Sequence, residues 1–200
     1  MPDRTGSDEP GLWERARNGD SAAFALLYDR HRDRVFGQAL RWTRSGHDAE
    51  DVLALVFLEA WRRRAAVRVV ETSILPWLLV TTNHVAQNAQ RAARRHRIAM
   101  ARVPAQEDVA DHSTRVLDDL DTDSAAARVR TAFVRLRPRE QDVLTLCVIH
   151  EYSLAQAAEA LGVPTGTVKS RLSRAKARLA QLTGPQDRDE ASAPALGGLR

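Results

Sequence analysis

The sequence predicts an all-α protein with two helical domains joined by a flexible acidic linker, the C-terminal domain being a helix-turn-helix. Apolar residues recur at helical spacing along both halves of the 200-residue chain. Between the halves, the chain is acidic and poor in large apolar side chains, which is the composition of a linker. The predicted divisions are a disordered N-terminus at 1–9, a first domain at 10–103, the linker at 104–123, a second domain at 124–183 and a disordered tail at 184–200.

Composition excludes several classes of protein. Apolar residues make up 44% of the chain, which is enough for a packed core. No run approaches the ~20 apolar residues that span a bilayer, and the polar start of the chain is unlike a secretory signal. Cys147 is the single cysteine, so no internal disulfide can form. We therefore expect a cytoplasmic protein without membrane insertion.

The net charge of +4 is unevenly distributed along the chain. Two basic blocks, residues 1–104 and 124–200, flank an acidic strip at 105–123 that holds seven acidic residues and one arginine. Basic blocks of this kind favour a polyanion as the partner. Arginine, which accounts for 28 of the 30 basic residues, can hold a phosphate or a guanine edge with two parallel hydrogen bonds.

Four helices are predicted in the first domain. Asp20 in the turn "NGD" and Asp48 in the turn "RSGHD" are placed to cap the second and third helices. Pro76 is placed to open the fourth. The segment "VVETSIL" before it is short and β-branched, so a strand and an ordered loop both fit. The predicted helices are 10–17, 21–43, 48–64 and 76–97.

In the second domain, helical spacing returns at Ser124. Pro138 is placed at the start of a helix, where its missing amide hydrogen costs nothing. The buried face of that helix is predicted to carry Val143, Leu144, Cys147 and Val148.

The stretch "SLAQAAEALGVPTGTVKSRLSRAKARL", residues 153–179, predicts two short helices joined by a tight turn. Ser153 caps the first helix, with Gln156 reaching back, and Gly162 ends that helix in the left-handed conformation. Thr165 is placed to cap the second helix. The inward stripe of the second helix is Val168, Leu172, Ala175 and Leu179.

Basic side chains fall largely outside this inward stripe. A helix of this size with a basic outer face fits the major groove of DNA. An ordinary helical hairpin with solvated charges is the alternative, but the cap, the turn and the one-sided charge together favour DNA binding. The basic residues are Lys169, Arg171, Arg174, Lys176 and Arg178.

The same residues resemble a known family. "LRPREQDVLTL" and then "EALGVPTGTVKSRLSRAKARL" closely resemble the promoter-reading C-terminal domain of bacterial sigma factors. "NGDSAAFALLYDRHRDRVFGQAL", "DAEDVLALVFLEAW" and "PWLLVTTNHVAQNAQRAARRHR" are similar, in the same order, to the core-binding and promoter-melting segments of that family. Two domains and nothing more resemble the small extracytoplasmic-function (ECF) type, over about residues 18–182.

The resemblance implies a docking surface for core RNA polymerase. In the family, the helix that begins "DAED" contacts the clamp of the largest polymerase subunit. The matching residues here are Asp48, Glu50 and Asp51, with Asp51 the closest match; a plain acidic helix start is the alternative. The family usually has a Gln-Glu pair where Ala54 and Leu55 stand, so a polar contact is either missing or replaced by an apolar one.

The resemblance also implies contacts with the minus-10 promoter element. The segment at 70–97 corresponds to the part that melts DNA, which traps single-stranded bases while a basic surface holds the backbone. Trp77 fits a core position better than a stacking platform, and Gln87 stands where an acidic residue is often found. The implied minus-10 contacts are Trp77, Asn83, Asn88, Arg91, Arg94 and Arg95.

The helix-turn-helix would read the minus-35 element. Arg171, Thr167 and Ser170 lie early in the second helix, where recognition helices reach bases, whereas Lys176 and Arg178 are expected to hold the backbone. The implied minus-35 contacts are Thr165, Thr167, Lys169, Ser170, Arg171, Arg174, Lys176 and Arg178.

The predicted function is a dissociable initiation factor that binds core RNA polymerase, directs it to promoters and assists melting. Its partners would be the polymerase and promoter DNA, and the resemblance allows an anti-sigma factor. No enzymatic activity, cofactor or metal is expected, because Cys147 and His150 form one C-x-x-H pair, short of a zinc site. The alternative is a stand-alone helix-turn-helix regulator with an N-terminal sensor or dimerisation module.

Overall fold

The computed structural model describes residues 9–43, 45–100 and 125–184, which are helical apart from turns and short loops. The predicted linker at 104–123 and the tail from 185 onward lie outside these residues. No helix within the described ranges is long and apolar enough to cross a membrane. The elements in chain order are α1 (Glu9–Arg17), α2 (Ser21–Thr43), α3 (Gly46–Arg62), α4 (Leu75–Met100), α5 (Ala125–Arg135), α6 (Pro138–Leu144), a π-helical turn (Thr145–Ile149), α7 (Leu154–Leu161) and α8 (Thr165–Thr183).

The first domain is a bundle in which α2, α3 and α4 pack against one another and α1 packs on α2. Its core is built from the apolar stripes of these helices, as the helical spacing predicts. The side chains without solvent contact include Leu27, Val35, Val56, Leu78 and Leu79. Residues 70–74 before α4 form an ordered turn with a single Val70–Ser73 bridge, which resolves the ambiguity of "VVETSIL" in favour of a loop.

A buried carboxylate fixes this loop to the rest of the domain. Glu9 lies in α1, inside the segment that the sequence predicts to be disordered, and its Oε1 accepts hydrogen bonds from His31 Nε2 at 2.8 Å, Ser73 Oγ at 3.0 Å and Ile74 N at 2.8 Å. Burial alone would raise the pKa of Glu9, but these hydrogen bonds and the charge of His31 lower it below the ordinary value. The start of α4 is thereby tied to α1 and α2.

The second domain packs α5, α6 and α7 around α8. The predicted capping box is confirmed: Ser153 Oγ accepts from Gln156 N at 3.2 Å, and Ser153 N donates to Gln156 Oε1 at 2.7 Å. Gly162 ends α7 with φ +63°, the left-handed conformation that glycine adopts without steric cost. Val168 and Ala175 are buried, and Leu172 and Leu179 pack at the edge of the core, as predicted for the inward stripe.

Besides Ser153, three residues are predicted to cap helices with their side chains, and for two of them the structure differs. Asp20 does cap α2, since its Oδ1 accepts from Ala23 N at 3.0 Å. The prediction for Asp48 is wrong, because Ser45 is the N-cap and accepts from Asp48 N at 3.3 Å. The prediction for Thr165 is also wrong, because the backbone carbonyl of Pro164 accepts the first amides of α8 and no side chain caps the helix.

The prediction of a buried Val148 is wrong as well. The side chain is 48% exposed, whereas Leu146 is fully buried. The spacing argument assumed a continuous α-helix, but the π-helical turn at 145–149 holds more residues per turn and rotates the later positions. Cys147 is half-buried, and burial raises the pKa of its thiol.

The two domains lie against each other. Helix α4 contacts α6, α7 and the π-helical turn, and α2 contacts α5. At one edge, the rings of Trp42 and Phe133 meet with their centroids 5.4 Å apart. At another, the guanidinium of Arg68 lies against Gly162, in space that a Cβ atom would fill. The helix-turn-helix therefore rests on the first domain.

Candidate nucleic-acid interface

Helix α8 presents most of its basic residues to solvent. Lys169, Arg174 and Lys176 are exposed, and Arg178 is half-buried. Because Val168 and Ala175 are buried against the domain core, the rotation of the helix is fixed and the basic face is held outward. The remaining predicted minus-35 contacts are exposed or half-buried; these are Thr165, Thr167, Ser170 and Arg171.

The early turns of α8 contain a local hydrogen-bond chain. Ser170 Oγ donates to the carbonyl of Thr167 at 3.0 Å, and Arg174 Nε donates to the carbonyl of Ser170 at 3.1 Å. These bonds turn Arg174 back along its own helix. Arg171 instead lines a cleft of about 1240 Å³ between the two domains, facing the walls formed by α3 and α4.

The acidic start of α3 is an exposed surface. Asp48, Glu50 and Asp51 are all exposed, and Asp51 is 69% accessible with only His47 at 4.0 Å as an ion-pair partner. Asp48 lies in the first turn, where a carboxylate complements the helix dipole. The three carboxylates are thus available to a basic partner.

An apolar strip continues this surface along α3. Leu55 and Leu58 are 48% and 43% exposed. They follow Asp51 at intervals of four and seven residues, so they lie on the same side of the helix. The sequence indicated Leu55 as an unusual residue but not Leu58, whose exposure depends on how α3 packs on α2 and α4.

Helix α4 places the predicted minus-10 residues in three different environments. Asn88 is exposed, and every residue from 91 to 100 is exposed, so the arginine cluster projects beyond the packed core. Trp77 is half-buried, packs against the core and lines the cleft between the domains. Asn83 is fully buried at the contact between the domains. The arginine cluster consists of Arg91, Arg94 and Arg95, at i, i+3 and i+4.

All four hydrogen-bonding positions of the Asn83 amide are occupied. Its Oδ1 accepts from Gln38 Nε2 at 2.8 Å and from Trp42 Nε1 at 3.0 Å, both in the first domain. Its Nδ2 donates to Asp142 Oδ1 and to Thr145 Oγ1, each at 3.1 Å, both in the second domain. An asparagine amide has two lone pairs and two N–H groups, so this site is saturated.

This network was not predicted from the sequence. Gln38 lies on α2, whereas Asp142 and Thr145 lie three residues apart where α6 meets the π-helical turn. The hydrogen bonds match no local motif and join residues 41 to 107 positions apart. The sequence offered one signal for this network. Gln38 is a polar residue on the face of α2 that is otherwise buried, since it lies between Val35 and Ala39.

Two histidines make the domain contact sensitive to pH in opposite senses. The hydrogen bond from His84 to Asp142 raises the pKa of His84, so its contribution is present below pH 6.5 and is lost as the pH rises through the raised value. Burial lowers the pKa of His150 to about 4, with the charges of Arg41 and Arg34 adding to the effect. Protonation of His150 therefore opposes the contact as the pH falls from 6.5 towards 4.

His150→Gln should make the domain contact less sensitive to acid. Glutamine cannot be protonated, so the stability that wild type loses between pH 6.5 and 4 through His150 should be retained. The free energy of unfolding retained by the variant should be smaller than the roughly 1.4 kcal/mol that corresponds to each unit of pKa shift, because the imidazole ring keeps partial access to solvent. The measurement is urea unfolding of both proteins at pH 7 and pH 5. The prediction fails if both lose equal stability.

Comparison with known protein families agrees with this arrangement. The family described as "Sigma-70 region 2" matches residues 27–111, and the family described as "Sigma-70, region 4" matches residues 126–179. The chain belongs to the sigma-70 family of sigma factors, in its ECF group. The first domain of the sigma factor is therefore region 2, with α3 and α4, and the second is region 4, with the helix-turn-helix.

The matches to individual relatives cover most of this chain and most of each relative. The sigma factor is 31% identical to RNA polymerase sigma factor CarQ of Myxococcus xanthus, over 86% of this chain and 95% of the relative. It is 32% identical to ECF RNA polymerase sigma factor SigM of Mycobacterium tuberculosis, over 83% and 80% respectively. Among solved structures, CnrH in complex with the cytosolic domain of CnrY has a TM-score of 0.55 at 23% identity, covering 88% of this chain and 96% of that one. That likeness supports the two-domain helical fold.

Proposed function

We propose that this sigma factor binds core RNA polymerase through α3, holds the melted minus-10 element along α4 and reads the minus-35 element with α8. The observation that carries the proposal is the presence, in one chain, of an exposed acidic helix start, an exposed arginine cluster and a helix-turn-helix with a basic outer face. A stand-alone regulator would require neither the acidic helix start nor the arginine cluster. Both sigma-70 regions in order also favour the initiation factor.

The polymerase-binding surface combines charge with apolar contact. Asp48, Glu50 and Asp51 supply negative charge, and Leu55 and Leu58 extend the surface with apolar area. A basic helix with apolar residues at its edge would complement it. The proposal thus assigns a role to Leu55, one of the two residues that replace the polar pair usual in the family.

The minus-10 surface begins beyond the packed part of α4. Arg91, Arg94 and Arg95 share an exposed face of α4, a helix that contains no Asp or Glu, so three phosphates of a separated strand could be held in a row. Asn88 lies on the same exposed half. Trp77 packs against the core and forms part of the wall of the cleft that Arg91 also lines.

Arg171→Ala and Lys176→Ala should have different effects on minus-35 recognition. Truncating a side chain that reads a base costs roughly 1–3 kcal/mol and relaxes preference at one position. Truncating a phosphate contact weakens all sequences alike and lowers the salt slope by about one unit. We expect the first behaviour for Arg171 and the second for Lys176.

The measurement is transcription by reconstituted holoenzyme on a library randomised in the upstream element. Lys176→Ala, which removes one charge from the same helix, is the matched control for Arg171→Ala. If both variants keep the wild-type preference and strength, α8 does not read DNA.

The protein is proposed to act in the cytoplasm without catalysing a bond change of its own. It assists melting by binding the separated strand, which stabilises the open promoter. CnrH was solved in complex with the cytosolic domain of CnrY, and by analogy this chain is proposed to bind a protein partner as well.

A further inference from the structure

We propose that a cavity between α2 and α5 binds a diphosphate group, either free or carried by a nucleotide. The cavity has a volume of about 300 Å³, at the low end of the range for small-molecule sites, which suits a compact anion. None of its lining residues belongs to the surfaces proposed to bind polymerase or promoter DNA. The residues that line it are Arg41 and Trp42 of α2, Gln90 of α4, and Arg130, Thr131, Val134 and Arg135 of α5.

Every charged side chain that lines this cavity is an arginine. No aspartate or glutamate stands among the described residues that form its walls. The charge of Arg41 is also felt inside the protein, since burial lowers the pKa of His150 to about 4 and the charges of Arg41 and Arg34 contribute to that shift. Positive charges gathered in a concave site without a carboxylate create a positive potential that attracts anions.

The arginines approach the cavity from two helices, so an anion would be held from two sides. Arg41 lies on α2, and Arg130 and Arg135 lie on α5. A guanidinium can donate two parallel hydrogen bonds to a phosphate, and the hydroxyl of Thr131 adds a further donor. Three guanidinium groups match the charge of a diphosphate better than that of a single backbone phosphate of DNA. The cavity is therefore suited to a small diphosphate.

The floor of the cavity is buried and held in place. Trp42 is 4% exposed, and its ring packs on Phe133 with the centroids 5.4 Å apart. Its Nε1 donates to Asn83 Oδ1 at 3.0 Å, and its carbonyl accepts from Gln90 Nε2 at 2.7 Å. A buried and immobile floor strengthens charge interactions above it, because water screens them less and the site needs little rearrangement to bind.

A ligand bound between α2 and α5 would contact both domains of the folded chain. An unfolded chain does not assemble these three arginines, so the ligand would bind the folded state and raise its stability. Saturating inorganic pyrophosphate should therefore raise the Tm of wild type, measured by circular dichroism. The Tm of a variant that lacks the arginines should not respond.

Titration calorimetry of the full chain, without divalent cations, tests the site directly. We expect inorganic pyrophosphate and adenosine diphosphate to bind wild type, and Arg41→Gln with Arg135→Gln to weaken both at least tenfold. Both substitutions are at exposed positions, so helical content should stay at the wild-type value. Arg17→Gln with Arg32→Gln removes the same charge from exposed positions on α1 and α2, and this control should bind both anions like wild type.

The two anions distinguish the sources of the diphosphate. Similar affinity for both would show that the diphosphate alone is recognised, and tighter binding of adenosine diphosphate would favour a nucleotide; either supports the site if the double variant loses it. No binding of either anion, equal binding by wild type and the double variant, or an equal loss in the charge control would overturn the proposal.

A 12-nucleotide single strand provides the last comparison. If the double variant binds this strand tenfold more weakly than wild type does, while neither diphosphate binds wild type, the arginines hold a nucleic-acid backbone and the proposal is wrong. The surfaces of α3, α4 and α8 are intact in every variant used, so none of these outcomes depends on the proposed function.

Discussion

Asp51→Arg should weaken binding of the sigma factor to core RNA polymerase by roughly a hundredfold. The side chain is 69% exposed, so the substitution does not disturb packing, and its only ion-pair contact within the described residues is a 4.0 Å approach to His47. Placing a positive charge against a basic partner costs several kcal/mol, of which about 3 would account for the expected loss.

The measurement is affinity for core polymerase by fluorescence anisotropy, with helical content by circular dichroism as a check on folding. Asp33→Arg is the matched control, since it makes the same charge change on an exposed part of α2. The prediction requires the control to bind like wild type. Equal affinity for wild type and Asp51→Arg would mean that the start of α3 is not the docking surface.

Replacing Arg91, Arg94 and Arg95 by alanine should reduce open-complex formation by roughly ten- to a hundredfold. The three side chains share one exposed face of α4, and each phosphate contact to a single strand contributes about 0.7 to the salt slope. The slope for single-strand binding should therefore fall by about 2. Helix formation should change little, because alanine has high helix propensity.

The checks are permanganate footprinting of promoter opening and the salt dependence of oligonucleotide binding by holoenzyme. Alanine at Arg15, Arg17 and Arg32 removes the same charge from exposed sites on α1 and α2, where the ion pairs are worth little. If that control reduces opening as much as the α4 variant does, net charge rather than the position of the cluster is responsible.

Features governed by a few neighbouring residues could be predicted from the sequence. The capping box of Ser153, the left-handed Gly162 and the inward stripe of α8 follow from local spacing and turn chemistry, and all three are confirmed. The two incorrect caps also concern local choices. There, Ser45 begins α3 three residues earlier and accepts from the amide of Asp48 itself, and the backbone carbonyl of Pro164 accepts the first amides of α8.

Features governed by distant residues could not be predicted. The environment of Asn83 depends on the approach of a domain 59 residues further along the chain, and no local pattern encodes that approach. The exposure of Val148 depends on a π-helical turn, which helical periodicity does not anticipate. The sequence could therefore indicate Asn83 as a candidate contact but not the acceptors that face it.

The most direct test of the account is transcription in vitro by core RNA polymerase on fragmented genomic DNA, with and without this protein, followed by mapping of RNA 5′ ends. We expect new, discrete start sites that share two upstream elements and that disappear with Asp51→Arg. Discrete DNA binding without any polymerase-dependent start site would contradict the account and favour a stand-alone regulator.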